Sequence, residues 1–295
     1  MIEKLKGIGV ALVTPFDEKL QVDFEGLSKL LQLNTAGGVN YWVVHGTTGE
    51  AATTTSREKK EILGFIQANN PNAIPIVYGL GGNNTNDLMG QIEEMDFNGI
   101  DFVMAVSPYY NKPSQEGIYL HYKMLADVCP VPILLYNVPS RTGSSIAPET
   151  VIRLSAHPNI IGIKEASGNL VSCIEIARKK PADFLLISGD DVLTVPIMSI
   201  GGVGVISTLA NAFPKQMAAM VQAARNKDFQ LGAEYQFELF PLHQLIAQGG
   251  NPVATKQMLA ALGICRNYVR LPLTPPDTLF IEQMQAVMRP WLYKV

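Results

Sequence analysis

Short apolar segments alternate with amphipathic segments along most of this chain. Eight of the apolar segments are about five to seven residues long and rich in β-branched residues, which is typical of buried strands. Nearly continuous apolar runs need cover on both faces, so they favour a parallel sheet. The predicted strands are 7–13, 40–45, 74–79, 101–106, 132–137, 160–164, 184–188 and 203–207.

Each predicted strand is followed by a segment with the apolar spacing of a helix. We expect Asp23 and Ser56 to cap the first two helices, and Gly37 with Gly38 to end the first one. Pro214 suits a first helical position, where its missing N–H is not needed. The other helices are predicted to begin near residues 85, 114, 148, 169 and 191.

Eight strand–helix pairs over about 220 residues predict a closed α/β structure, the (β/α)8 TIM barrel. The chain changes character after about residue 226. It then carries helical patterns without clear strands, near 229–247, 252–262 and 278–291. We therefore predict a catalytic barrel in residues 1–225 and a small C-terminal helical domain in residues 226–295.

Composition and charge exclude several classes of function. Of the 295 residues, 47% are hydrophobic and 17% charged, which is typical of a globular protein. The net charge of −3 and the lack of a basic run give no sign of a nucleic-acid or membrane partner. The first apolar run is too short to span a membrane and has no cleavage site after it, so we interpret it as a strand.

The cysteines and histidines predict neither disulfides nor a metal site. Cys129, Cys173 and Cys265 stand far apart without a CxxC pair, so we expect buried thiols in a reducing, cytoplasmic setting. The four histidines lack ligand spacing. His45 follows an apolar run, and we interpret it as a hydrogen-bonded core residue or, alternatively, as a functional one.

Lys164 stands at the end of the sixth predicted strand, in the sequence NIIGIKEASGN. Burial disfavours the charged form of a lysine, and a neutral amine can attack a carbonyl group to form a Schiff base. Lys164 is therefore a candidate catalytic residue. The alternative is that its side chain simply reaches water at the end of the strand.

Polar residues also follow the other predicted strands, at the ends where TIM barrels carry their chemistry. Each group has a structural alternative: a glycine-rich turn, tyrosines at a subunit interface, or an arginine paired with a surface acid. Their joint placement nevertheless predicts a site with hydroxyls, one lysine and one arginine. The segments are 46–50 (GTTGE), 107–111 (SPYYN), 136–143 (YNVPSRTG), 188–191 (SGDD) and 206–207 (IS).

Four of these motifs together resemble the dihydrodipicolinate synthase family. They are GTTGE at 46–50, SPYYNKPSQEG at 107–117, YNVPSRTG at 136–143 and GIKEASGN at 162–169. The resemblance extends from near residue 7 to residue 276. The wider superfamily, which includes N-acetylneuraminate lyase, shares the barrel and the Schiff-base lysine. Its lyases tend to have a serine at the position of Thr47 and no arginine matching Arg141.

The resemblance implies that pyruvate and L-aspartate 4-semialdehyde condense and cyclise on the pathway to lysine and diaminopimelate. Lys164 would form the imine with pyruvate, and Tyr136 would donate and accept the proton beside it. Thr47 would link Tyr136 to Tyr110, which would come from a neighbouring subunit. No metal or organic cofactor would be needed, because the covalent imine does the chemistry.

The resemblance also implies residues that bind the substrates. Thr48 and the backbone at Ile206 would hold pyruvate, and Gly189 would be a further substrate-binding residue. Arg141 would receive the carboxylate of the aldehyde, since a planar guanidinium can bind it with two parallel hydrogen bonds. The family is commonly a homotetramer built as a dimer of dimers, and we expect the same assembly here.

Many relatives bind lysine as a feedback inhibitor at the tight dimer interface. A fixed cation at Lys59 should repel a cationic ligand, so we expect weak or absent inhibition by lysine. The matching positions in this sequence are Ala51, Ala52, Ser56, Lys59, Asn83, Asp87 and Tyr109.

Two other hypotheses remain open from the sequence. One keeps the lysine chemistry but uses another aldehyde or cleaves a keto acid, as sialic acid and 2-keto-3-deoxy sugar acid aldolases do. The other is a barrel that binds a keto acid without turnover, as a sensor. A full set of relay hydroxyls argues against the sensor, because binding alone does not require them.

Overall fold

Eight parallel strands and the helices between them make up a (β/α)8 barrel, as the sequence predicts. The computed structural model describes residues 2–292. The strands close into a barrel in chain order. They are β1 (Gly7–Ala11), β2 (Tyr41–Val44), β3 (Ile76–Leu80), β4 (Phe102–Val106), β5 (Ile133–Asn137), β6 (Ile160–Glu165), β7 (Leu185–Ser188) and β8 (Gly204–Ser207).

Helices follow every strand, and three further helices end the described chain. The helices are α1 (Phe24–Ala36), α2 (Ser56–Ala68), α3 (Thr85–Glu93), α4 (Gln115–Val128), α5 (Pro139–Thr142), α6 (Pro148–Leu154), α7 (Leu170–Lys179), α8 (Thr194–Ser199), α9 (Pro214–Arg225), α10 (Phe229–Gly249), α11 (Val253–Ala261) and α12 (Thr278–Met288). The one-turn helix α5 was not predicted. Four residues are too few to show a helical period.

The helix caps confirm one prediction and correct another. Asp23 accepts a hydrogen bond from the Gly26 N–H at 2.9 Å and caps α1. The cap of α2 is Thr55, so the prediction of Ser56 was wrong. Thr55 and Glu58 form a capping box, in which each side chain accepts a bond from the other residue's N–H. Glu58 can close that box only on the residue three positions before it.

One compact unit consists of the residues up to Lys6 together with Pro75–Ile206. Its core lies between β3–β6 and the helices α3, α4, α6 and α7, where Leu88, Tyr122 and Ile176 are buried. Tyr122 donates its hydroxyl hydrogen to the Ala105 carbonyl at 3.0 Å. This pairing satisfies a polar group that would be costly to bury alone.

The second compact unit consists of Gly7–Ile74 and the chain from Ser207 onward. Asn211 connects β1 to the segment after β8, donating to the Ala11 carbonyl at 2.8 Å and accepting from the Val13 N–H at 3.0 Å. Helices α10–α12 belong to this unit, together with β1 and β2. The division into a barrel and a helical domain at residue 226 stays a prediction.

The three cysteine side chains are buried and unpaired with one another, as the sequence predicts. Burial raises the pKa of Cys173 and Cys265 to about 12, so these thiols stay protonated near neutral pH. Within residues 2–292, no helix combines the length and the apolar character needed to cross a membrane.

Candidate active site

Strand β6 delivers Lys164 beside Tyr136 of β5, its partner in the parallel register. The side chain of Lys164 is only 6% exposed, so the alternative that it reaches bulk water is wrong. Its Nζ atom lies 4.2 Å from the centroid of the Tyr136 ring. A cation or a polar amine is attracted to such a ring face, which fixes the direction of the side chain.

Glycine at position 189 leaves the space that the stem of Lys164 occupies. A Cβ atom at this position would lie 2.9 Å from Lys164 Cγ and 3.0 Å from Lys164 Cε. The Gly189 N–H also donates to the Glu165 carbonyl at 2.7 Å, which holds the backbone close to β6. Any larger residue would therefore displace the lysine or the loop that follows β7.

The amine of Lys164 has no carboxylate partner among the described residues. Its neighbour Glu165 points to the opposite face of the strand, because side chains alternate along a strand. The Glu165 carboxylate accepts from Asn137 Nδ2 at 2.9 Å and from the Ser167 N–H at 2.7 Å. Burial raises the pKa of Glu165, and these donors oppose the rise. The nearest acid along the chain is thus bound elsewhere.

Asn137 also anchors the segment that carries Arg141. Its Oδ1 atom accepts from the Ile146 N–H at 3.0 Å, while its Nδ2 atom donates to Glu165. Gln115 adds a second anchor, since its Oε1 atom accepts from the Ala147 N–H at 2.9 Å. Arg141 lies on α5, exposed at the surface of the chain. The end of β6 is therefore connected to the segment that carries Arg141 through the buried side chain of Asn137.

Tyr110 projects from the loop after β4. Its side chain is 87% exposed, and its backbone has a φ of 74°. A positive φ is uncommon for an aromatic residue, and it changes the direction in which the side chain leaves the backbone. Tyr109 is half-exposed, and its carbonyl accepts from Asn83 Nδ2 at 3.2 Å. Two of the residues expected to bind lysine, Asn83 and Tyr109, are thus in contact.

In the second unit, Thr47 and Thr48 lie on a 3-10 turn, Thr47–Gly49, at the carboxyl end of β2. Thr47 is exposed and Thr48 is buried. Thr48 Oγ1 accepts from Asn251 Nδ2 at 3.0 Å. The turn ends at Glu50, whose φ of 52° reverses the chain. Both candidate hydroxyls are therefore held on one short, constrained turn.

The turn is also fixed by contacts that sequence reasoning missed. Glu50 Oε1 accepts from Lys256 Nζ at 2.5 Å, and Glu50 Oε2 accepts from the Arg270 N–H at 3.0 Å. Lys256 also donates to the Tyr268 carbonyl at 2.8 Å. No spacing rule joins a lysine to a glutamate 206 residues away. Ala51 and Ala52 follow the turn, and Ser56 and Lys59 lie at the start of α2.

His45 lies immediately before this turn, buried and with a φ of 59°. Its Nε2 atom lies 3.0 Å from the Lys59 carbonyl oxygen, which supports its interpretation as a hydrogen-bonded core residue. Burial lowers the pKa of His45 to about 4, and the charge of Lys59 adds to that shift. Burial also lowers the pKa of Lys59.

Metal-ligating side chains do not cluster in the part of the chain that the structure describes. No group of three or more His, Cys, Asp or Glu residues there could hold a metal ion. Ile206, expected at the pyruvate subsite, is buried in β8. Among the described residues, the candidate reactive groups of the first unit include the amine of Lys164 and the phenol of Tyr136, and those of the second unit include the hydroxyls of the β2 turn.

Comparison with known proteins identifies similar chains. The model of the dihydrodipicolinate synthetase family matches residues 4–289. The 4-hydroxy-tetrahydrodipicolinate synthase of Cytophaga hutchinsonii is 45% identical over 279 residues, covering 95% of this chain and 94% of that protein. The enzyme of the same name from Parabacteroides distasonis is 44% identical, covering 97% and 96%.

Solved structures give the same result. Dihydrodipicolinate synthase from Aquifex aeolicus superposes with a TM-score of 0.93 at 34% identity, covering 97% of this chain and 98% of that one. The dihydrodipicolinate synthase from Thermotoga maritima superposes with a TM-score of 0.94 at 33% identity and the same coverage.

Proposed function

The chain belongs to the dihydrodipicolinate synthetase family, and we propose that it acts as a 4-hydroxy-tetrahydrodipicolinate synthase. It condenses pyruvate with L-aspartate 4-semialdehyde through an imine on Lys164. The observation that carries this proposal is the buried amine of Lys164 beside Tyr136, with no carboxylate partner in residues 2–292. A buried amine that no carboxylate binds can attack a carbonyl carbon as a nucleophile.

The reaction begins with attack of Lys164 Nζ on the keto carbon of pyruvate. Loss of water gives the imine, which draws electrons from the methyl group so that a proton can leave. The resulting enamine attacks the aldehyde carbon of the second substrate and forms the new carbon–carbon bond. The amino group of that substrate then attacks the imine carbon, which closes the ring and releases the lysine.

Tyr136 moves the proton at the imine in this proposal. A phenol alone is a poor base near neutral pH, so the proton needs a path through further hydroxyls. Thr47 and Tyr110 supply that path, with Tyr110 coming from a second copy of the chain. The position of the Tyr136 ring against Lys164 supports the first part, and the exposure of Tyr110 supports the second.

The carboxylates of the two substrates bind to different residues. Thr48 and the backbone at Ile206 hold pyruvate, beside Gly189, whose lack of a side chain admits the stem of Lys164. Arg141, which is exposed on α5, binds the carboxylate of the aldehyde in this proposal. A guanidinium matches a carboxylate with two hydrogen bonds.

The working enzyme is a cytoplasmic homotetramer, a dimer of dimers, that needs no metal or organic cofactor. The covalent imine with pyruvate supplies the electron sink that a cofactor would otherwise provide. Lysine binds weakly or not at all at Ala51, Ala52, Ser56, Lys59, Asn83, Asp87 and Tyr109. The partly buried cation of Lys59 opposes a cationic ligand there.

Reductive trapping tests the proposed chemistry. The protein is treated with borohydride in the presence of pyruvate, digested, and analysed by mass spectrometry. We expect the adduct on Lys164 and none on Lys256, which is also buried and serves as an internal control. An adduct on another lysine would overturn the assignment.

A coupled assay tests the substrates. Turnover with pyruvate and L-aspartate 4-semialdehyde is measured beside cleavage of N-acetylneuraminate, and we expect activity with the first pair. Faster cleavage of N-acetylneuraminate would make the protein a lyase. Imine formation without any turnover would make it a keto-acid sensor.

A further inference from the structure

We propose that Asn251 positions the hydroxyl of Thr48 so that it donates its hydrogen to the carboxylate of pyruvate. Asn251 belongs to the C-terminal helical segment, between α10 and α11. That segment would then be part of the substrate-binding machinery rather than an accessory to the barrel. The inference rests on the proposed role of Thr48 in binding pyruvate.

The contact joins two distant parts of the chain. Asn251 Nδ2 donates to Thr48 Oγ1 at 3.0 Å and to Thr208 Oγ1 at 3.3 Å. Thr48 is 3% exposed, so its hydroxyl cannot satisfy its bonds with bulk water. One amide group thus holds the hydroxyls that follow β2 and β8.

The direction of this hydrogen bond decides what Thr48 can do. An amide N–H only donates, so the Thr48 oxygen must accept, and its single hydrogen is directed elsewhere. A hydroxyl that already accepts a bond is polarised and becomes a better donor to an anion. Pyruvate presents a carboxylate, which accepts hydrogen bonds only. Asn251 therefore sets Thr48 as a donor before the substrate arrives.

Further hydrogen bonds hold Asn251 and the turn of Thr48 next to each other. Gly250, directly before Asn251, has a φ of 78°, and its carbonyl accepts from the Ala254 N–H at 2.8 Å at the start of α11. Two positions later on α11, Lys256 is bound to Glu50 of the same turn. The segment thus contacts the turn twice, at the hydroxyl of Thr48 and at the carboxylate of Glu50.

The test uses Asn251→Asp, which keeps the size of the side chain and removes the donor. A carboxylate accepts the Thr48 hydrogen and adds a negative charge near the pyruvate carboxylate. We expect the KM for pyruvate to rise by about tenfold or more, because a charge-assisted hydrogen bond is lost. The kcat at saturating pyruvate and the KM for the aldehyde should change by less than about threefold on the same reasoning.

Two further variants complete the test: a control at Thr208 and an uncharged replacement of Asn251. Thr208→Val removes a hydroxyl to which Asn251 also donates and should change the pyruvate KM by less than about twofold. Asn251→Ala removes the donor without adding charge and should raise the pyruvate KM by several-fold, less than Asn251→Asp. Borohydride trapping at graded pyruvate concentrations gives an independent reading of the same affinity.

The outcomes separate this inference from the proposed function. If Thr48→Val raises the pyruvate KM and Asn251→Asp does not, the inference about Asn251 fails and the role of Thr48 stands. If Thr48→Val itself leaves the pyruvate KM unchanged, the proposed role of Thr48 fails. An equal rise in Thr208→Val would also overturn the inference. If Asn251→Asp does not fold, an unchanged pyruvate KM in Asn251→Ala decides against it.

Discussion

Two buried lysines within residues 2–292 have opposite surroundings. Lys164 is 6% exposed and Lys256 is 0% exposed, and each amine lies close to an aromatic ring, at 4.2 Å from Tyr136 and 4.1 Å from Phe16. Lys256 is also bound to the carboxylate of Glu50 and to a carbonyl. Lys164 has no carboxylate partner within residues 2–292. The aromatic contact is shared, so the carboxylate is what distinguishes them.

The difference shows what a buried amine needs before it can react. Burial lowers the pKa of Lys256, and Glu50 opposes that shift by favouring the charged form. An ammonium bound to a carboxylate has no lone pair with which to attack a carbonyl. Burial alone therefore does not make a nucleophile. In the proposed function, the protein uses a buried lysine for chemistry at 164, where no acid is paired with it, and for structure at 256, where Glu50 is.

Replacing each lysine by methionine, which has a similar length and no charge, is the most direct test of the difference between Lys164 and Lys256. Lys164→Met should lower kcat by at least about a thousandfold, because no imine can form. Its free energy of unfolding in urea should change by less than about 2 kcal/mol, since no ion pair is lost. Appreciable residual turnover would place the Schiff base on another lysine.

Lys256→Met should have the reverse effect. It leaves the buried carboxylate of Glu50 without its partner and should lower the free energy of unfolding by about 3–5 kcal/mol. The double variant Lys256→Met with Glu50→Gln removes the stranded charge and should recover part of that loss. Urea unfolding near neutral pH measures all three proteins. An unchanged stability in Lys256→Met would mean that the pair does not hold the turn.

Two buried histidines, like the lysines, are bases whose charged form is disfavoured by burial. Burial lowers the pKa of His45 and of His121 to about 4, below the unfolded value of 6.5. The unfolded chain therefore binds protons first as the pH falls. The contribution of each histidine to the free energy of unfolding is fully present above about pH 6.5 and is lost from there toward pH 4. At pH 5 the loss is about 2 kcal/mol for each histidine.

Urea unfolding at pH 8, 6 and 5 checks this pH dependence. His45→Asn is a suitable variant, because asparagine tolerates the left-handed backbone that His45 adopts. It should remove about half of the loss attributed to the two histidines. The same loss in the variant as in the natural chain would show that His45 does not titrate in this way.

A third lysine, Lys59, gives the smallest expected effect. It is partly buried at a position expected to bind the feedback inhibitor lysine. Because like charges repel, millimolar lysine should lower turnover by less than about twofold. The variant Ser56→His with Lys59→His removes the fixed cation and should be inhibited more. Strong inhibition of the natural protein would show that Lys59 does not repel the ligand.

The local parts of the fold were predictable from the sequence. The strands could be found because apolar runs and turn residues lie side by side in the chain, and Lys164 was conspicuous at the end of one such run. The helix α5 was missed because it is a single turn. The predicted cap of α2 is one residue late, since serine at 56 is by type the better cap and the sequence alone favours it over threonine at 55.

The supports of the candidate site could not be predicted. Helix α11 is buried from Val253 to Leu259, yet its lysine and glutamine make it look like a surface helix in the sequence. The partner of Lys256 is 206 residues away, and the partner of Asn251 is 203 residues away. Such contacts depend on the closed fold and leave no periodic or local signal. Pattern reasoning finds reactive groups more readily than the residues that orient them.

The glycine at 189 determines how readily a single substitution could change the proposed reaction. In the proposed reaction the Lys164 nitrogen becomes part of a planar imine, and its four-carbon stem must adjust in the space beside Gly189. A single methyl group at 189 would already touch that stem at two carbons. The position of the Lys164 amine therefore depends on the lack of a side chain at 189. In the proposed reaction, even alanine at 189 would move this amine without altering any reacting group.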